Sequence, residues 1–250
     1  MLPMTLKQVI AQVINSFLSP AGVMLVRKDW VRPAQAGQVN DGAFWDEYVR
    51  KWERSNQNEG LERVGNEWKN EEIFLGLLEK YASHDSTALE IGCGGGRITS
   101  RAVPWFKHVH ASDVSKEMLR TNQDRLRADN VSYHLLDGFT LGEFADQSLD
   151  CVYSHDVFVH FSSLQVYPYF VEVKRVLKKG GVGIISWYNF SKHFPLFKEM
   201  SLHFNEQRVY PPHMRVHFVT EQMIGLMLED LSLSLVEMDK ANFLIAVFRK

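Results

Sequence analysis

Ala88-Leu89-Glu90-Ile91-Gly92-Cys93-Gly94-Gly95-Gly96-Arg97-Ile98 decides how this chain of 250 residues folds. It reads as a short strand, a glycine-rich turn and the start of a helix. Glycine lets the backbone turn sharply and lets a ligand approach closely. In open parallel sheets ligands bind beyond the carboxyl ends of the strands. Outward from this turn, short apolar strands alternate with helices. Strands are predicted at 88–91, 108–112, 131–136, 149–154 and 182–187, and helices at 98–105, 116–127, 140–144 and 164–177. Such alternation builds a mostly parallel sheet with crossover helices. Lys178-Lys179-Gly180-Gly181 is predicted as the turn before the fifth strand. The chain then changes character: a helix over 221–231 precedes two strands, 232–238 and 243–249, joined by a short turn. That hairpin gives an antiparallel edge.

The rest of the chain bounds the reading. Lys+Arg number 28 against 30 Asp+Glu, a net charge of −2, so the overall balance offers no argument for nucleic-acid binding. A 45% hydrophobic content fits a globular chain rather than a disordered one. Two cysteines cannot form a disulfide framework, which points to a reducing, cytoplasmic setting. Leu6, Val9, Ile10, Val13, Ile14, Phe17 and Leu18 fall at helical spacing. Interrupted by Gln8, Gln12 and Asn15, they predict an amphipathic helix packed on the main domain or on a second copy in a homodimer. Its polar face has too few cations for a membrane-surface helix, and no run is long enough for stable membrane insertion. Phe44, Tyr48, Val49 and Trp52 predict a second helix, and Ile73, Leu75, Leu77, Leu78 and Tyr81 a third. Residues 1–69 are read as an N-terminal helical extension or lid and 70–250 as the ligand-binding domain, with 188–219 a substrate-side insertion.

The turn departs from the dinucleotide fingerprint, because Arg97 stands where the third glycine belongs. Glu90, at the strand end, suits a cation better than a pyrophosphate. S-adenosylmethionine carries a sulfonium and an ammonium and no phosphate, and a carboxylate beneath the turn favours it. Asp113 ends the next strand, 23 residues after Glu90, where an acid can accept both ribose hydroxyls. Asp137, in Asp137-Gly138-Phe139 after strand three, is placed to accept from an adenine amino group, with Phe139 beside the ring. An acid after a strand is often only a helix cap; three in register carry more weight.

On these residues the chain resembles the class I S-adenosylmethionine-dependent methyltransferases, in particular the small-molecule branch that includes ubiquinone-type methyltransferases. The resemblance covers about residues 70–250 and rests chiefly on Glu90 to Gly96. It implies a Rossmann-like α/β fold, a seven-stranded mostly parallel sheet with an antiparallel C-terminal hairpin, plus the N-terminal helical extension. It also implies that Gly92, Cys93, Gly94 and Gly96, with Arg97 after them, hold the methionine end of the cofactor. Asp113 would bind the ribose, Val114 and Met118 would flank the adenine, and Asp137, Gly138 and Phe139 would form the adenine-binding turn. Ser154 and His155 would open onto cofactor and substrate. Lys179-Gly180-Gly181 matches the family's turn before strand five. Cys93 is read as packing rather than as a reactive thiol.

Methyl transfer from a sulfonium is an in-line displacement in which alignment does much of the work, and an alcohol or protonated amine also needs a base. His155 and His160 are the candidate bases, against the alternative that each is a loop histidine bonded to backbone. Tyr188 and His193, after strand five, and Arg215, for an anionic group, are candidate substrate contacts; lid packing and an exposed strand face are their alternatives. Trp68 is a candidate to close over the cofactor. No His-x-x-x-His or Cys-x-x-Cys pair marks a metal site. Where amino-methyltransferases of nucleic acids carry Asn/Asp-Pro-Pro-aromatic, this chain reads Ser154-His155-Asp156-Val157. The expected substrate is therefore a small molecule, methylated on oxygen or nitrogen, with carbon methylation also open. A catalytically silent S-adenosylmethionine-binding protein and an NAD-type oxidoreductase are the alternatives; Glu90 and Arg97 count against the latter.

Overall fold

In the computed structural model, residues 42–55, 71–207 and 216–250 are described, the side chains at 52–55 and 203–207 excepted. The helix predicted over 6–18, Trp68 and Arg215 lie outside these residues. The sheet follows from the burial of its strands. β1 (Thr87–Ile91) is buried over four consecutive positions, and so are four of β4 (Leu149–Ser154) and nine of β5 (Leu177–Asn189). Strands covered on both faces need such continuous apolar runs. β2 (His108–Asp113) and β3 (Val131–Leu135) extend the sheet on one side, and β7 (Ser234–Asp239) and β8 (Phe243–Arg249) on the other. The order is β3-β2-β1-β4-β5-β8-β7. β1 to β5 pair in parallel, and β8 runs antiparallel to both β5 and β7. A two-residue β6 (Phe218–Val219) adds to β5 beyond the end of β4.

Helices cover both faces. Helix α1 spans Gly42–Ser55, α2 Glu71–Tyr81, α3 Thr99–Ala102, α4 Lys116–Leu126, α5 Ser163–Val176, α6 Phe194–Gln207 and α7 Glu221–Asp230. On one face Val166, Phe170 and Val173 of α5 and Ile224 and Leu228 of α7 meet Leu89, Val152, Ile185 and Phe248. On the other, Phe74, Leu75 and Leu78 of α2 and Ala102 of α3 meet Ala88, Tyr153, Ile184 and Val247. Helix starts are fixed locally. Ser115 caps α4 by accepting from the Met118 amide, Thr220 caps α7 in the same way, and Ser162 with Gln165 forms a capping box on α5.

Three local predictions are corrected. Residues 140–144 form no helix, because the Asp137 carboxylate draws in the amides of Phe139 and Thr140 and commits the chain to a turn. The turn predicted at Lys178-Lys179-Gly180-Gly181 is absorbed into an irregular start of β5. There Gly180 takes φ +80° and its amide donates to the Lys250 carbonyl. The helix predicted over 98–105 breaks after Ala102 into a 3₁₀ turn carrying Pro104.

Gly183 on β5 lies under the Phe248 ring of β8; a Cβ there would come within 2.2 Å of ring carbon. Gly183→Ala is expected to lower unfolding free energy by about 1–3 kcal/mol through overpacking, read as a lower urea midpoint with an unchanged slope.

Candidate active site

The chain leaves β1 outward to β2 and β3 and returns to β4 on the other side of β1. A crevice opens at that reversal, beyond the carboxyl ends of the strands. It holds about 1010 Å³ of empty space, its open mouth included. Its floor is the glycine turn. Gly92 has φ +75°, and a Cβ there would meet Val157 at 2.4 Å, so β1 and the β4 loop approach this closely only with glycine. Gly96, at φ +89°, sits against Asn122 of α4. Arg125, one turn further along α4, donates to the carbonyls of Gly95 and Gly96 and clamps the turn from outside. A Cβ on Gly94 would have no atom within 4 Å.

Two carboxylates reach this cavity from neighbouring strands. Asp113 Oδ2 accepts from the Gly94 amide and Oδ1 from the Ser115 amide, both at 2.9 Å. Burial raises its pKa, and these N–H groups work against the rise. Glu90 is 3% exposed. Its cross-strand neighbour Tyr153 donates to Oε2 at 3.2 Å. Burial pushes Glu90 up to about 8, more than Thr99 and Tyr153 pull it down. Arg97 is the permanent cation among the described residues lining the cavity, and it is matched by acids. Its guanidinium lies 2.6 Å from Glu71 on α2 and 3.5 Å from Asp156. Asp156 itself holds φ +61°, a left-handed conformation that costs a non-glycine residue energy.

Both predicted histidines line the cavity, in different environments. His155 is 7% exposed, stacked on Phe74 at 4.5 Å, with Nδ1 3.0 Å from Ser186 Oγ. Burial, and then the nearby Arg97 charge, lower its pKa to about 3. Its imidazole therefore has little affinity for a proton, which counts against it as a general base. His160 ends the 3₁₀ turn Phe158–His160, half-buried, with its ring 4.9 Å from that of Trp45.

Val114, Met118, Cys93, Gly94 and Arg97 line the cavity with Glu90, Gly92 and Asp113. Cys93 is buried beneath the turn, and burial pushes its thiol well above the usual value. Ser154 is fully buried, its hydroxyl donating to the Ile91 carbonyl, so it ties β4 to β1 from behind the cavity. Asp137 is exposed. Its carboxylate is held below the usual range because amides of Phe139 and Thr140 and the Thr140 hydroxyl outweigh its partial burial. Gly138 supplies φ +81° to that turn, and Phe139 is 48% exposed. None of these three lines the cavity. Nor do Tyr188 and His193, which stack on each other at 4.6 Å beside Phe243. Sequence reasoning missed Trp45, Leu136, Asp156, Phe161 and Tyr169 on the wall. The aromatic stripe at 44–52 was a usable signal for Trp45. Among the described residues no cluster of His, Cys, Asp and Glu could hold a metal ion, and no helix is long and apolar enough to cross a membrane.

The two buried groups give the unliganded protein opposite pH slopes. The folded chain keeps a proton on Glu90 between 4.5 and about 8 that the unfolded chain has lost, so stability falls as pH rises through that window. The unfolded chain takes a proton on His155 below 6.5 that the folded chain refuses down to about 3, so stability falls as pH falls. Urea unfolding across pH should show Glu90→Gln flattening the alkaline decline and His155→Asn the acid one.

The donor set fits S-adenosylmethionine. Acidic side chains meet a cationic ligand, Asp113 offers carboxylate lone pairs to hydroxyl donors, and the turn's one guanidinium is already matched by Glu71 and Asp156 rather than kept for a phosphate. Residues 89–185 match the family described as a methyltransferase domain. An uncharacterized methyltransferase of Schizosaccharomyces pombe is 31% identical over 128 residues, covering 46% of this chain and 44% of that one. A ubiquinone biosynthesis O-methyltransferase of Rickettsia bellii is 26% identical over 155 residues, covering 55% and 63%. The chain thus spans less than two thirds of these curated relatives. The fold is that of DhpI in its complex with S-adenosylhomocysteine, with a TM-score of 0.64 and 18% identity over 86% of this chain and 98% of that one. Residues 89–185 thus carry a methyltransferase domain, and the sheet around them has the fold of S-adenosylmethionine-dependent methyltransferases.

Proposed function

We propose that the chain transfers a methyl group from S-adenosylmethionine to an oxygen or nitrogen of a small molecule in a cytoplasmic setting. The observation that carries this is the acidic floor of the cavity, Glu90 and Asp113 beside an already paired Arg97. S-adenosylmethionine, when bound, supplies an electrophilic methyl that an acceptor lone pair takes as the carbon–sulfur bond breaks and its electron pair returns to sulfur. Asp113 accepts from the ribose hydroxyls, and Val114, Met118 and Leu136 provide apolar wall for the adenine. Glu90, beneath the turn, favours the positive end of the ligand, whose charge offsets the carboxylate's burial. His160, half-buried on the cavity wall, takes the proton that the acceptor loses. His155, neutral and anchored by Ser186, holds the β4 loop in place. Trp45, Phe161 and Tyr169 exclude water and give a flat, partly apolar acceptor a surface to lie on. The small-molecule reading is also supported by the near-zero net charge, and the O-methyl reading by the name of the Rickettsia relative. Both cysteines are free and buried, in keeping with a reducing compartment.

Calorimetric titration with S-adenosylhomocysteine, with NAD as control, is the first test. One-to-one binding to the former alone supports the assignment; binding to NAD alone overturns it. Asp113→Ala should weaken S-adenosylhomocysteine binding roughly ten- to hundredfold, the worth of hydrogen bonds to a charged group. In a methyl-transfer screen over phenols and amines, His160→Ala should lower turnover by about 10²-fold or more with the cofactor affinity unchanged.

A further inference from the structure

Helix α1 meets the cavity wall directly through Trp45 and indirectly, by way of α4, through Asp46 and Val49. Trp45 lines it and faces His160. Val49 is fully buried against Met118, itself a cavity residue. Between these two, Asp46 reaches the N-terminus of α4, where one carboxylate oxygen accepts from the Ser115 hydroxyl at 2.5 Å and from the Glu117 amide at 3.3 Å. Ser115 is fully buried. Its hydroxyl also accepts from the Met118 amide, and its own amide donates to Asp113. One serine therefore holds the carboxylate of α1 through its hydroxyl and the ribose-site carboxylate through its backbone.

We propose that Asp46 is a positioning residue, which latches α1 over the cavity through Ser115 and couples closure of that cover to occupation of Asp113. The inference rests on the cofactor assignment made above. Asp46 and Asp113 are like charges on either side of one serine, and Asp46 acts on Asp113 as an unfavourable neighbour. Hydroxyl donors arriving at Asp113 spread its charge and relieve that repulsion, so the latch tightens when the ribose site fills. Reciprocity then requires that a closed latch holds the ligand longer. The macrodipole of α4 adds to the attraction for Asp46, since its carboxylate lies at the helix's positive end. Closure brings Trp45 over the site and shuts out water, which the transfer step requires.

The test uses the full chain and S-adenosylhomocysteine. Stopped-flow release should show Asp46→Ala raising the dissociation rate about tenfold with the association rate nearly unchanged, and Asp46→Asn, which keeps an acceptor oxygen but loses the charge, restoring only part of the difference. Hydrogen exchange on the wild type should show the ligand slowing the α1 amides about tenfold or more, an effect lost in Asp46→Ala. If Asp46→Ala does not fold, the wild-type exchange decides: unchanged α1 amides on saturation overturn the latch. Equal dissociation rates in wild type and folded Asp46→Ala overturn it as well, while leaving the cofactor assignment intact. Failure of the folded wild type to bind S-adenosylhomocysteine overturns both.

Discussion

The carboxylate of Asp113 is the joint on which the site depends. It sits at the end of β2, takes the amide of Gly94 on one oxygen and that of Ser115 on the other, and so fixes the glycine turn after β1 to the start of α4. The turn could not hold its shape alone, because three glycines in left-handed conformations carry no side chains to lock them. The restraint comes from α4 instead, through Arg125 on the turn's carbonyls and Asn122 against Gly96. A buried carboxylate is costly without donors. Here the donors are backbone amides that the fold must satisfy in any case, so the cost of the charge is offset by the order it imposes.

Electrostatics divides the cavity's groups by task. Glu90 and His155 sit one strand apart, both almost wholly buried, and burial moves each towards its neutral form. Neither group is then charged at neutral pH without help. A cation beside Glu90 would favour its charged form, whereas the Arg97 charge near His155 deepens the effect. His160 lies on the cavity wall beyond the strand ends, against Trp45, and is only half-buried.

The strand–turn–helix unit, the parallel sheet and the terminal hairpin were legible because each is written over short stretches with its own periodicity. The acids Glu90 and Asp113 were legible for the same reason: a strand end fixes where its last side chain goes. Asp137 had the same sequence signature, yet its carboxylate is taken by the turn that follows it, a local competition that spacing does not resolve. Tyr188 and His193 follow a strand as the site residues do, but β8 lies beside β5 there and draws them into an aromatic cluster with Phe243.

By itself the sequence determined the layer architecture, the place of the crevice and the two acids on its floor, because hydrophobic period, glycine placement and charge are local properties. Only the tertiary structure decided how far each histidine is buried, that Arg97 is matched by Glu71 from a separate helix, that Trp45 of α1 lines the cavity, and that Asp46 beside it reaches Ser115 of the α4 cap, 69 residues on in the chain. Those are facts of distance between segments that no local pattern encodes, and they set the burial and the ion pairing of the site.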